Sequence, residues 1–129
     1  EIIGDFFPSI IYTHHYGDLN IDHQVTHRAV MTACRPQPNF SVKEIYTFET
    51  VSATHWQSVS MDGLFSPNYF VDVSDFINKK IDALHCYASE MREYPHARSY
   101  EALKNLSKFR GSSVGLQDAE AFCVERLIN

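Results

Sequence analysis

The sequence lacks long apolar runs, an excess of positive charge and paired cysteines. No apolar run reaches the roughly 18 residues of a membrane-spanning helix, so a helical membrane span is not expected. The 129 residues carry 11 basic and 16 acidic side chains, a net charge of −5, which argues against nucleic acid as a partner. The three cysteines are far apart and form no C-x-x-C motif, which predicts reduced thiols and a cytoplasmic location.

The composition is that of an ordinary globular protein. Hydrophobic residues make up 44% of the chain and charged residues 21%, and the length fits one domain spanning residues 1–129. The residue patterns predict helices at 1–7, 20–33, 74–91, 100–109 and 118–127, and strands at 9–14, 43–49 and 69–73. Cys86 and Cys123 fall within apolar helical patterns and are expected to be buried. Alternating strands and helices predict an α/β fold with a small, partly parallel sheet flanked by helices.

The densest group of polar side chains follows the first predicted strand. It runs from His14 and His15 through a loop that contains Asp18 and ends at His23, where Asn20 is expected to cap the next helix. Open α/β sheets place their functional sites at such strand ends. Imidazoles beside carboxylates are also the usual surroundings of zinc, so His14, His15, His23 and Asp18 could form a metal site of their own.

Four blocks of the sequence resemble, in the same order, those of the LmbE/PIG-L family of zinc-dependent N-deacetylases. They are YTHHYGDLNIDH at 12–23, EIYTFETVSATHW at 44–56, PNYFVD at 67–72, and the PHARS, RG and AEAF segments within 95–122. The resemblance implies a Rossmann-like α/β sandwich, a zinc cofactor and the removal of an N-acyl group, typically acetyl, from an amino sugar or glycoconjugate. Such enzymes use metal-activated water to attack the amide carbonyl.

Individual roles follow from the resemblance for the first block. His23 matches the family's zinc-binding histidine, and Asp22 matches a residue that orients its active-site neighbours. Asn20 occupies a position where several relatives have a histidine; an asparagine can donate a hydrogen bond to an oxyanion but cannot transfer a proton. The general acid is therefore unassigned, with His14 and His15 as candidates.

One block of the family is absent. No His-Pro-Asp-Asp segment occurs, and in the family that block supplies two zinc ligands and the general base. The chain thus resembles a truncated, carboxy-terminal half of a deacetylase, and alone it is expected to bind zinc weakly and to show little or no activity. The alternative is a non-catalytic binding or assembly module derived from a deacetylase.

Two further expectations concern partners. Arg98, His96 and Trp56 are candidates for contacts with the substrate. A homodimer is expected because, in a truncated sheet, the first strand would be an unprotected edge that contains no lysine and no internal proline. The apolar residues expected in or near that interface are Ile2, Ile3, Phe6, Phe7, Ile10 and Ile11.

Overall fold

A computed structural model describes residues 2–59 and 63–129; Glu1, which the sequence places in the first helix, lies outside the described residues. The α-helices are α1 (Ile2–Phe6), α2 (Ile21–Ala33), α3 (Ile77–Leu84) and α4 (Tyr100–Ser112). The strands are β1 (Ile10–His14), β2 (Glu44–Phe48), β3 (Tyr69–Asp72) and β4 (Ala119–Leu127), and short 3-10 helices cover Thr54–Trp56 and His85–Tyr87. The fold is α/β, as the sequence predicts.

The strands form one mixed sheet in the order β1-β2-β4-β3. β1 and β2 are parallel, with Ile10 opposite Glu44 and His14 opposite Phe48, whereas β2 and β4 are antiparallel with an irregularity between Ile45 and Tyr46. Because parallel strands end at the same edge of a sheet, the segments that follow β1 and β2 emerge side by side. The chain divides into two compact units, residues 1–68 with 122–129, and residues 69–121.

The core of the first unit lies between the β1–β2 pair and helices α1 and α2. Cys34, Val42 and Ile45 are buried at its centre. The partly buried residues packed against this centre are Ile3, Ile11, Val30, Met31 and Phe40. Asn20 begins α2 as an N-cap whose side chain accepts a hydrogen bond from the Asp22 amide, as the sequence predicts. This cap fixes where the helix starts relative to the end of β1.

The second unit contains β3, α3, α4 and the start of β4. Ser99 caps α4 by accepting a hydrogen bond from the Ala102 amide. Gly111 is buried, and a Cβ atom added there would lie 2.8 Å from the Leu116 carbonyl oxygen and 2.9 Å from Asp118 atoms. A glycine is therefore required for the close approach of α4 to the chain that leads into β4.

Three predictions from the sequence are wrong in this region. The segment 118–127 forms strand β4 rather than a helix, because its backbone groups pair with β2. The helix predicted at 74–91 is shorter, since α3 begins after Phe76, without a side-chain cap, and gives way to a 3-10 turn at His85. Cys86 lies in that turn and is exposed rather than buried. Among the described residues, no helix has the length and apolar character needed to cross a bilayer.

Candidate functional site

The candidate site lies at the edge of the sheet where β1 and β2 end. Chain from β1 continues through residues 15–20 into α2, and chain from β2 continues through 49–53 into the 3-10 turn at Thr54–Trp56. Backbone hydrogen bonds from His15 to Phe48 and from Leu19 to Ala53 hold the two segments together. The parallel register of β1 and β2 thus brings the polar block at 14–23 against the segment that follows β2.

Asp18 is the buried centre of this edge. Its side chain is fully inaccessible, and its Oδ1 accepts a hydrogen bond from the Asn20 amide at 2.9 Å. Its Oδ2 accepts a hydrogen bond from the Thr54 hydroxyl, also at 2.9 Å, and lies 3.2 Å from Nδ1 of His23. A buried carboxylate is costly unless such donors surround it, so Asp18 fixes the relative positions of the loop, α2 and the 3-10 turn.

His23 lies in the first turn of α2 and presents its two ring nitrogens to different partners. Nε2 lies 3.4 Å from Nδ2 of Asn20, and since an amide NH2 only donates, Nε2 is the acceptor in this contact. The ring proton is then on Nδ1, which faces the Asp18 carboxylate in an electrostatic contact rather than a hydrogen bond. An imidazole backed by a carboxylate in this way carries its lone pair on the opposite nitrogen, where it accepts from Asn20 and where a metal ion would bind in place of that contact.

His14 lies directly against His23. The two rings are stacked, with centroids 3.8 Å apart and planes 6° from parallel, and the His14 ring also contacts Phe48. Nδ1 of His14 is 3.5 Å from the Thr50 hydroxyl. Burial lowers the pKa of His14, the neighbouring His23 lowers it further, and the Asp18 charge opposes both. His14 is therefore a neutral ring at neutral pH, which weakens its candidacy as a proton donor.

His15 is turned away from this cluster. It is 2% exposed, and its Nε2 is 2.7 Å from the Gly63 carbonyl oxygen. Gly17 lies close to the same carbonyl oxygen. A Cβ atom added at Gly17 would be 2.0 Å from the Gly63 oxygen. His15 and Gly17 thus hold the chain at residue 63 against the site loop, which indicates a positioning role for His15.

The other predicted site residues are placed as follows. Asp22 is exposed at the start of α2, and its contacts with the described residues are made by its backbone. Trp56 is exposed in the 3-10 turn that follows β2. His96 and Arg98 belong to the second unit, where Nδ1 of His96 accepts a hydrogen bond from the Arg98 amide and the Arg98 guanidinium pairs with Glu90 at 3.1 Å.

The sequence patterns indicate no role for Glu49 or His55, and they indicate Asp18 only as a possible ligand of a separate metal site. Glu49 follows β2 directly, its side chain is 7% exposed, and its Oε2 lies 2.8 Å from Nε2 of the partly exposed His55. The Asp18 side chain accepts a hydrogen bond from the amide of Asn20, two residues later, which is an Asx turn. The residue type at this loop position is therefore a local signal for the role of Asp18. Glu49 and His55 are six residues apart on one loop, and nothing local indicates their pairing.

A complete metal site is not formed by the described parts of the chain. Within residues 2–59 and 63–129, no group of three or more His, Cys, Asp or Glu side chains could hold a metal ion. His23 meets the requirements of one zinc ligand, because its Nε2 carries the lone pair and a carboxylate faces its other nitrogen. Zinc sites use three or four protein ligands, so the described residues fit a part of such a site.

Comparison with known proteins gives the fold but no family. No family model matches the sequence. The structure is similar to a conserved protein of Thermus thermophilus, TT1542, with a TM-score of 0.74 and 20% identity over 99% of this chain. It is also similar to the N,N'-diacetylchitobiose deacetylase of Pyrococcus horikoshii, with a TM-score of 0.69 and 19% identity over 97% of this chain. The chain spans 56% and 48% of those two proteins, about half of each.

Proposed function

We propose that this chain is one part of a zinc-dependent N-deacylase that acts on an amino sugar or its conjugate. The observation that carries the proposal is the geometry of His23, whose Nε2 is an acceptor and whose Nδ1 faces the buried Asp18 carboxylate. The similarity of the fold to an N,N'-diacetylchitobiose deacetylase supports the reaction class. The resemblance of residues 12–23 to the LmbE/PIG-L family supports the same choice.

In this proposal, His23 binds zinc through Nε2, and the remaining ligands come from polypeptide outside the described residues. A zinc ion at this position supplies a Lewis acid that activates water toward an amide carbonyl. The residues of this chain hold and orient the groups around that position. Asp18 holds the proton of His23 on Nδ1, the Asn20 amide NH2 is a donor for an oxyanion, and the neutral His14 ring packs against His23.

The test is a zinc titration of the isolated chain, followed by nuclear magnetic resonance of the histidine ring nitrogens. We expect Nε2 of His23 to shift first and binding to be weak, because a single ligand does not hold zinc tightly. His23→Ala should abolish that response, and His85→Ala, at an exposed histidine of the second unit, should leave it unchanged. If His23→Ala binds zinc as the parent chain does, the proposal is wrong.

A second assay tests the incompleteness of the site. The isolated chain, supplied with zinc and N,N'-diacetylchitobiose, is expected to release little or no acetate. Efficient release that disappears in His23→Ala would mean that a complete site exists within the 129 residues. That outcome would contradict the division of the site between this chain and other polypeptide, and it would support the deacylase activity itself.

The alternative function is an oligomeric binding or assembly module, and one observation favours it. Ile2, Phe6 and Phe7 are 74–80% exposed, and β1, with Ile10 and Tyr12 exposed, lies at the end of the strand order. Ile3 and Ile11, also expected at an interface, instead pack against the core of the first unit. We propose a homodimer through this surface, tested by sedimentation equilibrium. A 14.8 kDa monomer at about tens of micromolar, where a dimer with a Kd of about 1 μM would be largely associated, would exclude it.

A further inference from the structure

Two imidazole–carboxylate pairs lie at the same edge of the sheet. The first is His23 with Asp18, and the second is His55 with Glu49, at 3.2 Å and 2.8 Å respectively. They are connected through Thr54, which donates its hydroxyl to Asp18 and directly precedes His55. The proposed metal ligand uses the first pair, so the second pair has no role in the function proposed above.

The geometry of the second pair defines which nitrogen of His55 is reactive. A carboxylate only accepts hydrogen bonds, so Nε2 of His55 carries the proton in its contact with Glu49. The lone pair is then on Nδ1. Glu49 is nearly buried, whereas 36% of the His55 side chain is exposed, so the carboxylate holds a ring that stays partly accessible. A buried carboxylate behind an accessible imidazole is the arrangement of general acid–base pairs.

The other candidates for a proton carrier at this edge are less suitable. Asn20 has an amide that cannot transfer a proton. His15 is buried with its Nε2 against the Gly63 carbonyl oxygen. His14 is stacked on His23 and packed against Phe48. His55 remains as a partly exposed imidazole that a carboxylate orients.

We propose, on the basis of the function proposed above, that His55 transfers protons during amide hydrolysis and that Glu49 is the positioning residue that holds its ring. As water adds to the carbonyl carbon, it loses one proton to the general base that the resemblance places in the absent His-Pro-Asp-Asp block. Nδ1 of His55 then takes the second proton, from the hydroxyl group left on that carbon. When the C–N bond breaks, its electron pair goes to the nitrogen, which receives that proton from His55 and leaves as the amine. The carbonyl carbon retains both oxygens as a carboxylate and the general base keeps the first proton, so atoms and charges balance.

The charged surroundings of the pair come from two strands. Glu49 follows β2, and Cys123 and Glu125 lie on the adjacent strand β4. Burial is the main cause of the raised pKa of Cys123, and the charges of Glu125 and Glu49 add to it. Glu125 is therefore a second carboxylate near this part of β4, and its charge acts on Cys123 together with that of Glu49.

The proposal can be tested without a metal, on the isolated chain with a chelator present. An activated ester, p-nitrophenyl acetate, reports an accessible imidazole that accepts a proton or attacks as a nucleophile. The exposed thiol of Cys86 would react as well, so Cys86→Ser is the parent for all variants. In this parent, His55→Gln is expected to lower the rate at least tenfold, toward the lower end of the roughly 10²–10⁴-fold contribution of acid–base groups. Glu49→Gln should give an intermediate rate.

Controls separate chemistry from folding and from the proposed function. His85→Gln removes another exposed histidine and should leave the ester rate unchanged. The ring-nitrogen spectrum of the parent should show His55 protonated on Nε2, and Glu49→Ala should populate the other tautomer. Zinc binding at His23 should be the same in His55→Gln as in the parent, so failure of the zinc experiment and failure of this one are distinguishable.

Each result bears on the proposal. A tenfold loss of ester hydrolysis in His55→Gln, with folding and zinc binding retained, supports it. An unchanged rate, or a His55 ring protonated on Nδ1 in the parent, overturns it. In polypeptide with the complete metal site, His55→Gln should lower kcat for N,N'-diacetylchitobiose by about 100-fold with little change in KM. His55→Ala should also lower kcat, and added imidazole should partly restore it. Such a rescue would distinguish proton transfer from a structural role of His55.

Discussion

Thr54→Val is the substitution that tests most directly whether Asp18 organises the site. The Thr54 hydroxyl accepts a hydrogen bond from the Thr50 amide at 2.7 Å and donates one to Asp18 at 2.9 Å. Valine keeps the shape of threonine but leaves the part-buried Thr50 amide and the buried Asp18 carboxylate each without one partner. Since an unsatisfied buried group costs about 1–3 kcal/mol, we expect Thr54→Val to lower the free energy of unfolding by about 2–4 kcal/mol.

Chemical denaturation and thermal melting measure this loss. Each kcal/mol lowers the melting temperature of a domain of this size by about 4 °C, so a decrease of about 8–16 °C is expected. Thr26→Val is the matched control, because the Thr26 hydroxyl is exposed and donates only to the Asp22 carbonyl in its own helix. That control should change stability by no more than about 0.5 kcal/mol.

A double-mutant cycle isolates the bond between Asp18 and Thr54. Asp18→Ala and Thr54→Val each remove the same hydrogen bond, so the double variant loses it only once. The sum of the two single losses should exceed the loss in the double variant by about 1–2 kcal/mol. Additivity within about 0.3 kcal/mol would refute the reasoning, because it would mean that the buried carboxylate does not depend on Thr54.

Three further predictions concern a close contact, an exposed carboxyl group and the thiols. Gly17→Ala should destabilise the protein by about 1–3 kcal/mol in denaturant titrations, because the new methyl group would overlap the carbonyl of residue 63. Gly4→Ala is the control: there is open space around Gly4, so this change should be neutral or slightly stabilising. Hydrogen bonds from Ser74 lower the pKa of Asp72, so Ser74→Ala should return that pKa toward 3.8 in carbon-detected titrations, and an unchanged pKa would contradict the assignment. The depressed pKa contributes stability above about pH 3.8 that is lost as the pH falls through the lower, folded-state value. With a thiol reagent at pH 8, the exposed Cys86 should react first, because burial raises the pKa of the other two thiols, and equal rates for all three would be inconsistent with the structure.

Local signals in the sequence were sufficient for the start of α2 and for the position of His23. Asn20 is a strong N-cap residue and lies three positions before His23, so the helix start follows from residue type alone. The β-branched and aromatic residues of β1 likewise predict a strand that ends at His14. The first turn of α2 is therefore correctly predicted to lie beside the end of β1, and the stacking of His14 on His23 confirms it.

Strand β4 could not be predicted by the same means. Its apolar residues at 119, 122, 123 and 127 have the spacing of a helix face, and no glycine or proline interrupts them. The strand forms because its backbone completes the hydrogen bonding of β2, whose residues lie 74 to 83 positions earlier in the sequence, and such pairing overrides weak local preferences. Glu120, which the sequence places in a helix, therefore lies in β4. Its side chain forms an ion pair with Lys80.

The pairing of Glu49 with His55, and the burial of Asp18, depend on tertiary structure as well. The parallel register of β1 and β2 brings the loop after each strand to one edge, and only then does Thr54 reach Asp18. Asp22 is next to His23 in the sequence, but the carboxylate that faces the His23 ring in the structure is that of Asp18. The sequence thus indicates the correct edge of the sheet and groups Asp18 with His23, but it does not indicate that the Asp18 carboxylate is buried and faces Nδ1 of His23.

The two carboxylates at this edge bear on the choice between an enzyme and an assembly module. Burying Asp18 and most of Glu49 requires their desolvation, and apolar residues of similar size would commonly give equal or greater stability. What the carboxylates add is a fixed protonation pattern, with the lone pair on Nε2 of His23 and on Nδ1 of His55. A surface that only binds another protein gains nothing from fixed tautomers, whereas a metal ligand and a proton carrier both need them. Replacing Asp18 and Glu49 by residues that cannot orient a ring should therefore impair zinc binding and ester hydrolysis separately, and leave self-association unchanged.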